Sequence, residues 1–235
     1  MKELSEGLRS RLARQISLIG EEKTLKLVNA SCAVIGLGGV GGYVCEMLAR
    51  VGVGRLYLVD CDTVSVSNLN RQIIALESTI GRKKTDVMVE RVKAINPECD
   101  AVAKDIFITK DNAESIISDC GCDVIVDCID NVTAKIALIK HAKEQGKYVF
   151  SSMGTGNKLG SGGFCVTDIS KTHTCGLAKA VRKGLRDEGI EHLDVLFSTE
   201  TVVQSGQRVP SSIAYTPSVA GIFIAEHIIK KIISE

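Results

Sequence analysis

The stretch Cys32-Ala-Val-Ile35-Gly36-Leu-Gly38-Gly39-Val-Gly41 decides the fold, because a short apolar run there meets a cluster of glycines at once. Such a run reads as a buried strand entering a tight turn. Beyond the glycines the period changes: Val40, Val44, Met47, Leu48 and Val51 recur at helical spacing. Strand, glycine turn and helix in that order form an anion-binding unit. The glycines let the backbone approach a phosphate, and the helix N-terminus offers unpaired N–H groups and a favourable dipole. A second strand, Leu56 to Asp60, ends in a carboxylate about 20 residues on, where it would accept ribose hydroxyls.

Working outward, the pattern repeats. An N-terminal helical segment, Ser5 to Leu27, precedes the first strand. Helices are expected at Ile80 to Ile95, with Val87, Val92 and Ile95 on the apolar side, and at Val132 to Gln145. Strands are expected at Asp123 to Ile129 and Tyr148 to Ser152. This alternation predicts an α/β, Rossmann-like, mostly parallel sheet with helices on both faces. The last third adds strands and helices. Five glycines between Gly154 and Gly163 precede a strand-like Phe164 to Thr167, a basic helix near Leu177 to Arg186 and a strand-like Leu193 to Ser198. Thr216 as N-cap and Pro217 at the first helical position would open a closing helix to Ile233. With three prolines and no linker, the chain reads as one domain, 1–235. It comprises an N-terminal segment (1–28), a nucleotide-binding core (29–153) and a region that completes the substrate site (154–235).

Composition excludes several classes. Hydrophobic residues make up 45% and charged residues 24%, and 29 basic against 28 acidic side chains leave a net charge of +1. There is no global pull toward nucleic acid, so any such contact must be a local patch. The N-terminus lacks the apolar core of a signal peptide, and the longest apolar stretch, Ile222 to Ile233, is broken by Glu226, His227, Lys230 and Lys231. It is too short and too polar to span a bilayer, so the chain reads as cytoplasmic. Nine cysteines are mostly isolated, and Cys120 and Cys122 form a C-x-C rather than paired zinc knuckles.

The glycine turn alone does not choose between a dinucleotide and a triphosphate. The residues after Asp60 choose. Asp62, Asn68, Arg71 and Lys84, the last placed 13 residues after Arg71, supply a polar run and two cations. These suit a triphosphate whose charge must be neutralised before attack at the α-phosphorus. Asp127-Cys-Ile-Asp130-Asn131 ends the next strand, at the sheet edge where ligands of such folds bind. A carboxylate there would hold Mg²⁺.

Together the glycine loop (Gly36, Gly38, Gly39, Gly41), the Asp60/Asp62 pair, Ser67-Asn68-Leu-Asn70-Arg71-Gln72, Lys84 and Cys128-Ile-Asp130-Asn131 resemble the superfamily of ubiquitin-activating and molybdopterin- or thiamine-related adenylyltransferases. The resemblance implies ATP as co-substrate, with Asp60 on the ribose, and Asn68, Arg71 and Lys84 at the phosphates. It also implies Asp130 at Mg²⁺ beside Asn131, and Arg14 lent across a homodimer interface. The second half is similar to a narrower family, the tRNA threonylcarbamoyladenosine dehydratases. The matching stretches are Met153-Gly-Thr-Gly-Asn157-Lys158, Val166-Thr-Asp168-Ile-Ser-Lys171-Thr172, Leu177-Ala-Lys179, Val195-Leu-Phe197-Ser-Thr-Glu200 and Pro210-Ser-Ser-Ile-Ala-Tyr-Thr-Pro217-Ser-Val-Ala-Gly221. The chain departs from that pattern at Gly176 and in the glycine-rich Leu159 to Gly163.

Members of the narrower family adenylate the threonyl carboxylate of a modified adenosine beside the tRNA anticodon and close it to a cyclic form. The alternative acceptor, within the wider superfamily, is the C-terminal carboxylate of a small sulfur-carrier protein. The residues themselves favour neither outright. Lys179, Arg182, Lys183 and Arg186 share one helix face, and with Lys158 and Lys171 they are expected to meet a phosphate backbone. Aromatic residues total only 4%, so docking by shape and charge is expected rather than base stacking. Cys175, near Lys171 and His173, is the one candidate thiol, although intramolecular cyclisation needs none.

Overall fold

The computed structural model describes residues 3–204, 206 and 210–234. The central sheet runs in the order β3-β2-β1-β4-β5-β7-β6, from β1 (Ser31–Ile35), β2 (Arg55–Asp60), β3 (Asp100–Asp105), β4 (Val124–Asp127), β5 (Tyr148–Ser152), β6 (Phe164–Asp168) and β7 (Asp194–Ser198). Every neighbouring pair is parallel except β6 with β7, which is antiparallel and closes one edge. Strand order reverses between β1, which pairs with β2 on one side, and β4 on the other. Ligands of open α/β sheets bind at such a switch point, outside the carboxyl ends of the strands.

Strand periodicity builds the two-faced core. Cys32 and Val34 of β1 pack with α4 (Gly41–Arg50), α5 (Lys84–Ile95) and α9 (Tyr215–Ser234), through residues such as Val44, Val87 and Ile224. Ala33 and Ile35 point the other way. They pack with α6 (Ala113–Asp119), α7 (Val132–Glu144) and α8 (Gly176–Asp187), through Ile116, Leu138 and Val181. Alternate side chains of one strand thus bury on opposite faces, as a central strand requires.

The structure corrects four expectations. The N-terminal segment is three short helices, α1 (Glu6–Arg11), α2 (Ala13–Ile19) and α3 (Glu21–Asn29), broken at Leu12 and at Gly20, whose φ is +87°. The helix expected from Ile80 begins only at Lys84. Gly81 donates its N–H to the Val64 carbonyl and the Arg82 carbonyl accepts from Val64, which ties 81–83 as a turn against Thr63 and Val64. The last helix begins two residues early, at Tyr215, with Pro217 inside a first turn that needs no N–H from it. Thr216 does not cap; its hydroxyl donates to the Lys158 carbonyl at 3.3 Å. Finally, β3 and α6 add to the expected elements. Sequence pattern passes over β3 (Asp-Ala-Val-Ala-Lys-Asp) because it is a polar, mostly exposed edge strand without an alternating apolar signal.

Candidate active site

The glycine turn owes its shape to two close approaches. Gly36 has φ +91°, and a Cβ on it would lie 3.0 Å from the carbonyl carbon and oxygen of Cys128. A Cβ on Gly41 would sit 1.8 Å from the Gly36 oxygen, so no larger residue fits where α4 leaves the turn. Asp60 braces the loop: its Oδ2 accepts from Leu37 N at 2.7 Å, and its Oδ1 from Asp62 N at 2.8 Å. The expected ribose acceptor therefore also holds the phosphate loop in place.

A cavity of about 720 Å³ opens over this turn, well within the size range of small-molecule sites. Gly36, Gly38, Gly39, Asp60, Asp62, Asn68, Arg71, Lys84, Asp130 and Asn131 all line it. Gly41 lies behind it and supports the turn. Ser152 to Gly156, Leu177, Pro210, Ser212 and Pro217 complete its lining. The nucleotide half and the last third of the sequence thus share one cavity.

Within the cavity the cations are held by short contacts. Lys84 is buried (4% exposed), and its ammonium donates to Asp62 Oδ2 at 2.7 Å. Arg71 Nη1 donates to the Ser67 carbonyl (2.8 Å) and to Asn70 Oδ1 (2.9 Å), which leaves Nε and Nη2 for a ligand. Asn68 closes its own turn, its Oδ1 accepting from Ser65 N at 3.1 Å. Asn131 caps α7 by accepting from Ala134 N at 3.0 Å. Asp130, between them, is exposed and takes no hydrogen bond or ion pair from the other described residues. Its carboxylate is therefore available to a hard cation, which prefers oxygen ligands. The ligand atoms of Asp60, Cys61 and Asp62 also converge. Asp60 and Asp62 are already committed to backbone N–H groups and Lys84, and a thiol suits magnesium poorly.

Three expected residues lie elsewhere. Lys158 does not stand on a phosphate-binding surface. It is buried (3% exposed), with its ammonium donating to the Glu200 carbonyl at 2.7 Å, so it stitches two loops together. Arg182 is half-buried and donates to the Thr172 carbonyl (2.9 Å) and hydroxyl (2.6 Å), anchoring α8 to the preceding turn. Arg14 is exposed on α2 and does not line the cavity. Lys171, Lys179, Lys183 and Arg186 remain exposed, with side chains unpaired among the described residues. Cys175 is 8% exposed and spends its sulfur as the N-cap of α8, accepting from Ala178 N at 3.5 Å.

The sequence pattern assigns no role to several other residues in and beside the cavity. Gln72 lines the cavity at 6% exposure, with its Oε1 buried and unpaired among the described residues. Ile106, Phe107 and Ile108, after β3, form an apolar rim. Asn157, at φ +57°, bonds both Val203 and Ser211. The Glu200 carboxylate accepts from the N–H groups of Leu159 and Gly160 at 2.9 Å, and these bonds hold it below the usual glutamate range.

The ThiF family model matches residues 12–235. The tRNA threonylcarbamoyladenosine dehydratase of Bacillus subtilis is 40% identical over 235 residues, covering 92% of each chain. The chain belongs to this family. The Escherichia coli dehydratase is 36% identical over 208 residues, 85% of this chain and 77% of that one. The crystal structure of the E. coli enzyme in complex with ATP superposes with a TM-score of 0.93 at 33% identity, covering 99% of this chain and 98% of the other. The two chains therefore share the seven-stranded Rossmann-like sheet and its switch point. No helix among the described residues is long and apolar enough to cross a membrane.

Proposed function

We propose that the chain uses ATP to adenylate the carboxylate of the threonylcarbamoyl group on the adenosine beside the tRNA anticodon, then lets that group cyclise. The observation that carries this reading is the shared cavity. Its lining holds the glycine loop, Arg71, Lys84 and Asp130 together with Ser152 to Gly156. Adenylyl transfer from a triphosphate to a carboxylate needs both sets of residues in one cavity. The 40% identity to a tRNA threonylcarbamoyladenosine dehydratase supports the acceptor.

In this mechanism the glycine-loop amides and the N-terminus of α4 receive phosphate oxygens. Asp62 holds the Lys84 ammonium by one of its three protons, so two remain for the phosphates. Arg71 adds its unspent donors. The acceptor carboxylate oxygen attacks the α-phosphorus, and pyrophosphate leaves with the electrons of the broken P–O bond. A nucleophilic atom of the same threonylcarbamoyl unit then attacks the acyl carbon of the resulting acyl-adenylate. AMP leaves with the electrons of the broken C–O bond, and the nucleophile's proton passes to solvent. Asp130 would hold Mg²⁺, whose charge offsets that of the pentavalent transition state. Buried cations aimed at developing charge are worth most in such a water-poor cleft.

The assembly proposed is a cytoplasmic homodimer in which Arg14 of one protomer completes the other's phosphate site. Lys171, Lys179 and Lys183, with Arg186, form the tRNA-facing patch. Deleting the gene and measuring tRNA nucleosides by mass spectrometry tests the reading. The cyclic nucleoside should vanish and its open threonylcarbamoyl precursor accumulate; unchanged nucleosides would overturn it. Activation of a sulfur-carrier protein, the other acceptor, predicts no useful tRNA affinity.

A further inference from the structure

Asp127 and Lys135 form an ion pair with both side chains 0% exposed, Nζ to Oδ2 2.6 Å, directly beneath the cavity. Neither residue lines it. The ammonium spends all three protons: one on Asp127, one on Ser151 Oγ at 3.0 Å and one on the Ser152 carbonyl at 3.0 Å. Asp127 in turn accepts from Ser151 Oγ at 2.6 Å and, through Oδ1, from Ile129 N at 3.2 Å. The cluster is therefore fully satisfied and joins three elements: the end of β4, the end of β5 and the first turn of α7.

Burying two charges is expensive, and a well-packed apolar pair is often as stable or more so. Stability alone does not explain the cluster, but its connections do. Ile129 leads into Asp130, and Ser152, at the end of the neighbouring strand, begins the lining that runs to Gly156. We propose that Lys135, with Asp127 and Ser151, is a positioning residue that fixes the spacing between the metal-bearing wall and the acceptor wall. It reaches the reaction only through Ile129 and Ser152. The proposal rests on the adenylation reading for its effect on rate, but not for its effect on the two walls.

The test replaces the charged pair by an apolar pair of similar volume, Asp127→Leu with Lys135→Met, in the full chain. Thermal melting, ATP titration by calorimetry, tRNA-dependent pyrophosphate release and amide hydrogen exchange are then measured. The double variant should fold but melt below wild type, because Ser151 Oγ, the Ser152 carbonyl and Ile129 N each lose a partner. It should bind ATP as wild type does. Its kcat should fall about 10²-fold, the cost typical of a small misplacement of reacting groups. Exchange should quicken at 128–131 and 152–156 and nowhere else. A folded variant with wild-type kcat and wild-type exchange overturns the proposal. So does loss of ATP affinity in step with rate, which would mean general damage. If the double variant does not fold, Ser151→Ala decides, because it removes one link and keeps the ion pair. A lowered kcat at a near-wild-type melting temperature supports the proposal, and an unchanged kcat overturns it. Should wild type release no pyrophosphate with any tRNA, the adenylation reading fails, and the exchange comparison still judges the cluster.

Discussion

Lys158 gives the sharpest contrast between two roles for one cation, and Lys158→Met separates them. The methionine keeps the apolar stem and removes the ammonium. The side chain is 3% exposed, and its hydrogen bond of 2.7 Å to the Glu200 carbonyl joins the loop at 157–160 to the loop after β7. A hydrogen bond from a charged group contributes about 1.5–3 kcal/mol, and its loss also leaves a carbonyl without its partner. For a domain of this size each kcal/mol shifts the midpoint by roughly 2–4 °C. Melting should therefore fall by about 3–12 °C. Filter binding of tRNA across a salt series should give the wild-type slope, because no phosphate contact is lost. A surface cation would behave in the opposite way, with melting within the small range of surface substitutions. The slope of log K against log salt would then flatten by about 0.7–0.9. That second pattern would refute the structural assignment.

Asp130→Ala should lower pyrophosphate release about 10²–10³-fold while ATP still binds, as judged by calorimetry. Mixing Arg14→Ala protein with Asp130→Ala protein should recover part of the activity through mixed dimers; a strictly monomeric protein in light scattering would exclude this. Lys179→Glu with Lys183→Glu should weaken tRNA binding and reduce its salt slope, leaving the ATP affinity untouched. His227 packs 4.8 Å from the Phe150 ring and bonds the Tyr148 hydroxyl at 2.8 Å. Burial lowers its pKa, opposed by Asp194 and assisted by Lys231 and Lys230. The unfolded chain then binds the proton more readily, so stability is complete above about pH 6.5 and declines as pH falls through the folded value. Urea midpoints at about pH 7.5 and 5.5, above and below the unfolded value, should differ less in His227→Gln than in wild type.

The nucleotide half is legible in the sequence because its signals are local. A strand, a glycine cluster and a helix lie within a few residues of one another, and Asp60, Arg71, Lys84 and Asp130 each fall at or near an element end. Their arrival in one cavity follows from the parallel topology. The hidden features depend on distant partners. Lys158 and Arg182 look like surface cations because nothing near them in sequence announces Glu200 or Thr172. Lys135 sits on a helix whose apolar face is otherwise ordinary, and only the fold reveals that Asp127 and Ser151 end beneath it. The edge strand β3 escapes because its exposed residues carry no alternation.

Pro217 closes the cavity against Gly39, where a Cβ would come within 3.0 Å of the proline ring, and Gly221 lies so close to the Val40 carbonyl that a Cβ would stand 2.4 Å from it. The glycine turn is made well before the helix that supplies one of its walls. A nascent chain still holding α9 in the ribosome has the phosphate loop without the proline that closes over it. Nucleotide binding should therefore arrive late, as the last helix docks, and ATP present during translation would have little to grip until then.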